Sequence, residues 1–305
     1  MMVVMRRLVH LFALGAISAV ALLAAGCGGS ETALPQLESL SAVTSASKAA
    51  DSVAFEMELE QQALGMDLTI TADGAFDNAA NRGRMRMDLS ALAELMSGFG
   101  KAFGAGEGEI PDELADPEAW KIDVVVDGTK VYLRAPMLGS QLGGKEWVGG
   151  DAAELARSQG TDLGQIGSIA SSDPREALDA LEAVSGGLEA VGREEVRGVE
   201  TTHYRTTIDP AKIPGEAAAA GASGDLLAGL TGALKQVQLA EIPVDVWVDD
   251  DGLLRKYTLS LDLEQSGQKI AMALRLELFD YGAAVELDLP DPADVADIAT
   301  LQGLR

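Results

Sequence analysis

Few residues of this chain are placed to do chemistry, and the one in the most telling setting is its only cysteine, Cys27. It follows directly on Leu22-Leu23-Ala24-Ala25-Gly26, and Arg6 and Arg7 precede an apolar run from Leu8 to Ala25. A basic start, an apolar middle and a small-residue finish are the parts of a secretory leader. A cysteine placed just after the small residues reads as a bacterial lipobox. In that setting the thiol is acylated, the leader is cut away, and the cysteine becomes the mature N-terminus. The sequence therefore predicts a chain outside the cytoplasm, held at the cell membrane by the lipid on Cys27. The competing reading is an uncleaved transmembrane helix. The run of about 18 residues sits at the lower edge of a span, which needs roughly 20. The Cys27-Gly28-Gly29-Ser30 sequence that follows favours cleavage.

The other candidate chemistry is thin. His10 leaves with the leader, so His203 is the remaining histidine, mid-strand in Thr201-Thr202-His203-Tyr204-Arg205. One histidine and one acylated cysteine argue against a zinc site and leave little material for a nucleophile–base pair. Gly139-Ser140-Gln141-Leu142-Gly143-Gly144-Lys145 matches the first positions of a phosphate-binding loop, but Glu146 stands where Ser or Thr is required. Ser45-Ala46-Ser47-Lys48 has the Ser-x-x-Lys spacing of penicillin-recognising enzymes without their partner motifs, and reads as a solvated helix face. Asp249-Asp250-Asp251-Gly252 reads as a turn rather than a calcium loop, since the later ligands are missing. The sequence predicts no catalytic residue, no metal and no cofactor.

The formal charge is −25, and losing Arg6 and Arg7 with the leader makes it more negative. That balance argues against nucleic acid and against electrostatic adhesion to anionic lipid. Without its leader (residues 1–26) the chain keeps roughly 280 residues, enough for a sizeable core. With no second cysteine, that core stands without intrachain disulfides. Residues 27–34 read as a short polar tether and 35–305 as a single domain.

The elements come from the change of period. A helix is expected from Pro35 to about Ala50. Beyond Asp51 the apolar positions alternate: Phe55, Met57 and Leu59; then Met66, Leu68 and Ile70; then Met85, Met87 and Leu89. Alternation of this kind marks half-buried antiparallel strands. Hairpin punctuation continues it at Asp127-Gly128, Arg197-Gly198, Asp250-Asp251-Gly252 and Ser266-Gly267, linking strands over 121–126, 130–133, 191–196, 199–208, 243–248, 254–264 and 269–279. A last strand is expected over 283–287, for eleven or twelve in all. Helical inserts are expected at Ser90–Phe103, after Asp173-Pro174, and at Asp225–Val237, with a Gly-rich loop at Gly104–Gly108. The class is α+β, a large curved antiparallel sheet with helices collected on one side.

The order of these motifs carries a resemblance. A lipobox and a short helix come first, then Ser52-Val53-Ala54-Phe55. Val126-Asp127-Gly128-Thr129-Lys130-Val131-Tyr132-Leu133 and the helix after Asp173-Pro174 follow. The second half runs through Gly192-Arg193-Glu194-Glu195-Val196-Arg197-Gly198-Val199, Val246-Trp247-Val248-Asp249-Asp250-Asp251-Gly252, and Phe279-Asp280-Tyr281-Gly282. This resembles the actinobacterial LppX/LprG-type lipoproteins and, more distantly, the LolA/LolB carriers. The resemblance implies a half-barrel sheet with helices packed on its concave face, around a hydrophobic cavity for lipids or acylated cargo, and no catalytic residues.

The apolar strand faces themselves leave two readings open: an ordinary core or a cavity wall. On the second, the candidate lining is Phe55, Met57, Leu59, Met66, Leu68, Ile70, Met85, Met87, Val124, Val126, Leu259, Leu261, Met272, Leu274 and Leu276. Unbranched methionines adapt to variable guests as well as to irregular cores. The expected function is thus a lipid or acyl carrier in the cell envelope. The alternative is a non-enzymatic envelope interaction or regulatory protein with a filled core, and another envelope protein is a possible partner in either case. An enzyme is a distant third, requiring a buried carboxylate cluster with perturbed ionisation.

Overall fold

Strict alternation becomes strand wherever one side of the backbone can be buried. The computed structural model describes residues 40–63, 66–94, 116–152, 187–208, 241–265 and 268–297. These all belong to one compact unit, Gln36–Arg305. They form β1 (Ser52–Ala63), β2 (Met66–Asp77), β3 (Arg82–Asp88), β4 (Lys121–Asp127), β5 (Lys130–Arg134), β6 (Trp147–Asp151), β7 (Glu189–Val196), β8 (Val199–Ile208), β9 (Ile242–Asp249), β10 (Leu254–Gln265), β11 (Gln268–Phe279) and β12 (Val295–Asp297). All twelve lie in one sheet, in the order β12-β6-β5-β4-β3-β2-β1-β11-β10-β9-β8-β7. Neighbours are antiparallel except β12 and β6, which run parallel. Among the described residues β12 and β7 are the two ends, so the sheet is open.

The sheet is curled. In the two-residue turn between β7 and β8, Arg197 and Gly198 both have positive φ, as a twist-matched hairpin turn needs. Arg197 Nε donates to Glu277 on β11 at 2.6 Å, its Nη2 donates to Glu56 on β1, and its guanidinium lies 4.0 Å from the Phe279 ring centroid. A flat sheet spaces β8 and β11 by about 14 Å.

Helix α1 (Leu40–Ala49) buries Val43, Thr44 and Ser47. Ser47 Oγ accepts the first amide of β10, from Leu254, at 2.9 Å. The expectation of a solvated Ser-x-x-Lys face is therefore corrected at Ser47, which is fully buried and serves as a seat for the sheet. Residues 90–94 are helical, as expected from Ser90. Ala93 packs with Ala119 and Trp120 in a satellite cluster, where Asp116 caps the short η1 (Pro117–Trp120). The rest of that helix, the Gly104–Gly108 loop and the two later helical inserts lie outside the described residues, as do the leader and Cys27.

The expected strand over 283–287 is not one. Val285 and Leu287 are half-buried and Glu286 and Asp288 exposed, so the alternation is real, but the segment joins no ladder. It crosses the sheet face instead, lining clefts with Ala54, Ala75 and Arg84, then with Val125 and Trp147. It ends in β12, beside β6. Neither β6 nor β12 was expected, because Trp147-Val148-Gly149-Gly150-Asp151 shows little alternation and β12 has three residues. The Lys145 of the phosphate-loop near-match holds this segment, its Nζ donating to the carbonyls of Ala293 and Val295 at 2.8 and 3.1 Å.

Two glycines permit aromatic packing. A Cβ on Gly74 would lie 2.4 Å from the Arg84 carbonyl oxygen and 2.7 Å from Phe55 Cε1; one on Gly83 would lie 2.4 Å from Phe76 Cδ1. Phe55 and Phe76, stacked at 5.8 Å, thus each lie over a glycine of the next strand. Gly74→Ala is expected to lower stability by about 2 kcal/mol or more, since backbone as well as a ring must shift. Urea unfolding measures it, and an unchanged midpoint would remove the argument.

Candidate functional site

Residues directly opposite one another in a ladder share a face. Following the registers from strand to strand gives long side-by-side rows. One runs Leu278, Phe55, Gly74, Met85, Val124, Leu133, Val148 and Ala296, across β11, β1 to β6, and β12. The next runs Tyr204, Val246, Tyr257, Leu276, Met57, Ala72, Met87 and Ile122, across β8 to β11 and β1 to β4. A third runs Thr206, Val244, Leu259, Leu274, Leu59 and Ile70. A fourth has Leu261, Met272, Gln61 and Leu68. Val126 stands beside Gly83 and Val131 in a row with Val53 and Phe76.

Apart from Met66, every predicted lining residue therefore falls on one face; the backbone of Met66 stands opposite Ala63 in the ladder. Burial separates them. Phe55, Met85, Val124, Leu259, Leu261 and Leu276 are core. Met57, Met87, Val126, Met272 and Leu274 are half-buried and pack against that core, while Leu59, Leu68 and Ile70 are also half-buried. Residues not anticipated on this face include Gly74, Ala72, Tyr204, Val246 and Tyr257. Tyr257 was legible, being two positions before Leu259 and four before Leu261 in the same alternation.

Tyr204 and Tyr257 bring hydroxyls to this face. Burial raises the Tyr204 phenol, against a hydrogen bond with Thr202 that acts the other way. Burial alone pushes Tyr257 up to about 12.

The opposite face is charged. Arg82 and Arg86 on β3 pair with Asp127 and Asp123 on β4 at 3.0 and 2.9 Å, and Arg275 on β11 pairs with Glu58 on β1 at 2.5 Å. The hydrogen bond from Arg86 to Asp123 raises the guanidinium further. A cleft of about 720 Å³ opens here, lined by Asp73, Arg86, Asp88, Asp123 and Arg134 of the sheet and by Asp116, Glu118 and Lys121 beside η1. Its lining suits water and ions, not hydrocarbon.

His203 lies on the charged face too. Its ring stacks on Trp247 at 4.3 Å, with Nδ1 3.1 Å from Glu194 Oε1 and Nε2 2.6 Å from Asp245 Oδ1. Trp247 Nε1 donates to Glu194 Oε2 at 2.8 Å, Arg205 Nε donates to Asp245 at 2.8 Å, and Lys256 Nζ lies 4.3 Å from the indole centroid. The group ties the outermost strand β7 to β8 and β9. Asp249 locks the next turn: its carboxylate accepts from the amides of Asp251 and Leu253 and from Arg255 Nε at 2.6 Å. It is a turn, as its sequence suggests.

No family model matches the chain. It is 32% identical over 165 residues to an uncharacterized 31.2 kDa protein in the rplA-rplJ intergenic region of Streptomyces griseus, a match covering 52% of this chain and 50% of that one. The match thus spans about half the length of that relative. Among solved structures, LprF from Mycobacterium bovis has 16% identity and a TM-score of 0.42, covering 82% of this chain and 94% of its own. Lipoprotein LppX from Mycobacterium tuberculosis has 16% identity and a TM-score of 0.40, covering 82% and 96%. A LolA superfamily protein from Nitrosomonas europaea has 8% identity and a TM-score of 0.24, covering 85% and 97%. At such identities and scores the likeness assigns no activity to this chain.

The Glu194 carboxyl is held below its ordinary value, first by the Trp247 hydrogen bond, against desolvation, and then by His203. Its stabilisation is complete above the unfolded-state value and is lost as pH falls through the ordinary carboxylate range toward the folded value. Glu194→Gln is therefore expected to flatten the loss of stability between about pH 5 and pH 3. Urea midpoints across that range test this; curves parallel to wild type would count against it.

Proposed function

We propose that this chain is an extracytoplasmic lipoprotein, anchored through acyl chains on Cys27, that holds a lipid or acylated molecule against the apolar face of its sheet and carries out no reaction on it. One observation supports the reading above the others: the rows of apolar side chains crossing the sheet include half-buried, adaptable residues. Met57 and Met87 flank Ala72 in one row, and Met272 and Leu274 follow on β11. A long hydrocarbon needs no directional partner, only apolar contact, at about 0.8 kcal/mol per methylene taken from water. The charged face has the opposite character, with Arg82, Arg86 and Arg275 paired to carboxylates. The same charge balance leaves nucleic acid out of the reading. The membrane is reached through the anchor.

Two measurements test this. Organic extraction of the purified chain, followed by mass spectrometry, is expected to yield lipid or acylated material in near-stoichiometric amount. Repeated recovery of none, together with no uptake of a fluorescent acyl probe, would favour the filled-core reading, an envelope interaction protein. For the anchor, cells fed labelled palmitate are expected to label the wild-type chain and not Cys27→Ser, which should also leave the membrane fraction. Equal labelling of both would overturn the lipobox.

A further inference from the structure

Tyr257 is 6% exposed, and its hydroxyl has no hydrogen-bond partner among the described residues. Buried hydroxyls are nearly always paired, because removing one from water without a partner is costly. Its cross-strand neighbours, Val246 and Leu276, are both apolar. A phenylalanine would fill the same ring space without that cost. The neighbouring tyrosine of the row, Tyr204, shows the usual solution, a hydrogen bond with Thr202.

The position of Tyr257 in its row is also informative. Apart from Tyr257, the buried polar side chains of this face gather on β8, at Thr202, Tyr204 and Thr206. From β11 to β4 the same row carries Leu276, Met57, Ala72, Met87 and Ile122, none with a polar atom able to donate. The face thus has a hydroxyl-bearing end and a hydrocarbon end, and Tyr257 stands at their junction. From β10 to β4 is about 24 Å at the usual strand spacing, the scale of a long extended acyl chain.

We propose that the Tyr257 hydroxyl is the polar anchor of the apolar face, donating a hydrogen bond to the carbonyl oxygen of an acyl ester or fatty acid whose chain runs across the strands toward Met57 and Met87. This rests on the reading of that face as a lipid site and adds to it the group recognised and the direction in which the guest lies. Burial keeps the phenol protonated across the ordinary pH range, so it remains a donor.

The test compares wild type with Tyr257→Phe, both as full chains immobilised in dodecyl maltoside. Radiolabelled methyl palmitate and hexadecane are the probes, corrected for beads and micelles alone. Wild type is expected to retain both. The variant should hold hexadecane as wild type does and bind methyl palmitate about tenfold more weakly, the scale of one buried hydrogen bond. Its unfolding temperature should equal or exceed that of wild type. Equal methyl palmitate affinity in the two proteins overturns the anchor and leaves the lipid reading standing. Loss of both probes in the variant also overturns it, since that outcome makes Tyr257 a packing residue. Retention of neither probe by wild type overturns the lipid reading itself, and the anchor with it.

Discussion

The structure depends on the register of the ladders. Side chains alternate across a strand, so a slip of one residue would send each apolar row to the solvent side and each ion pair inward. The chain resists that slip from both faces. Phe55 lies over Gly74 and Phe76 over Gly83, and a shifted strand would drive each ring into a side chain. On the other face Arg82 meets Asp127 and Arg86 meets Asp123 across the same pair of strands. Each exposed pair adds little stability alone. As a ladder they penalise the wrong pairing, which is a different service.

This constraint gives the sheet two unlike sides with different tasks. The charged side carries cross-strand ion pairs, Arg82 with Asp127, Arg86 with Asp123 and Arg275 with Glu58. It also supports the edge: Glu194, His203, Trp247 and Asp245 tie β7 to its neighbours, and charged residues stud that strand. At the opposite end, three residues of β12 cap β6, delivered by an extended segment that crosses the charged side and is held by Lys145. The apolar side is seated by α1, whose Ser47 receives the first amide of β10. Where its side chains are only half-buried, at Met57, Met87, Met272 and Leu274, the sheet has adaptable surface rather than a rigid jigsaw.

The apolar face was legible in the period of two. Phe55, Met57 and Leu59, like Leu259 and Leu261, were placed on one side because alternation needs only local backbone geometry. Tyr257 belongs to the same alternation, yet its hydroxyl became informative only with its surroundings known, since a donor without a partner among the described residues is recognised only from what surrounds it. The stretch over 283–287 misled for a related reason. Its alternation records one buried side, and a segment laid across a sheet has one just as a strand within it does. At Ser47 the misreading ran the other way: a serine in a polar helix reads as solvated until the amide it serves, far away in sequence, is brought to it.

By itself the sequence determined most of the strands, their apolar and charged sides, and the turns at Asp127-Gly128 and Arg197-Gly198, because these follow from neighbours along the chain. The tertiary structure decided the order of the strands, above all that β1 lies against β11 and β12 against β6. It decided that the methionines of β1 and β3 flank Ala72 of β2, and that Tyr257 shares their row. Pairings between residues so far apart in the chain leave no local mark, since they are settled by which whole faces bury best together.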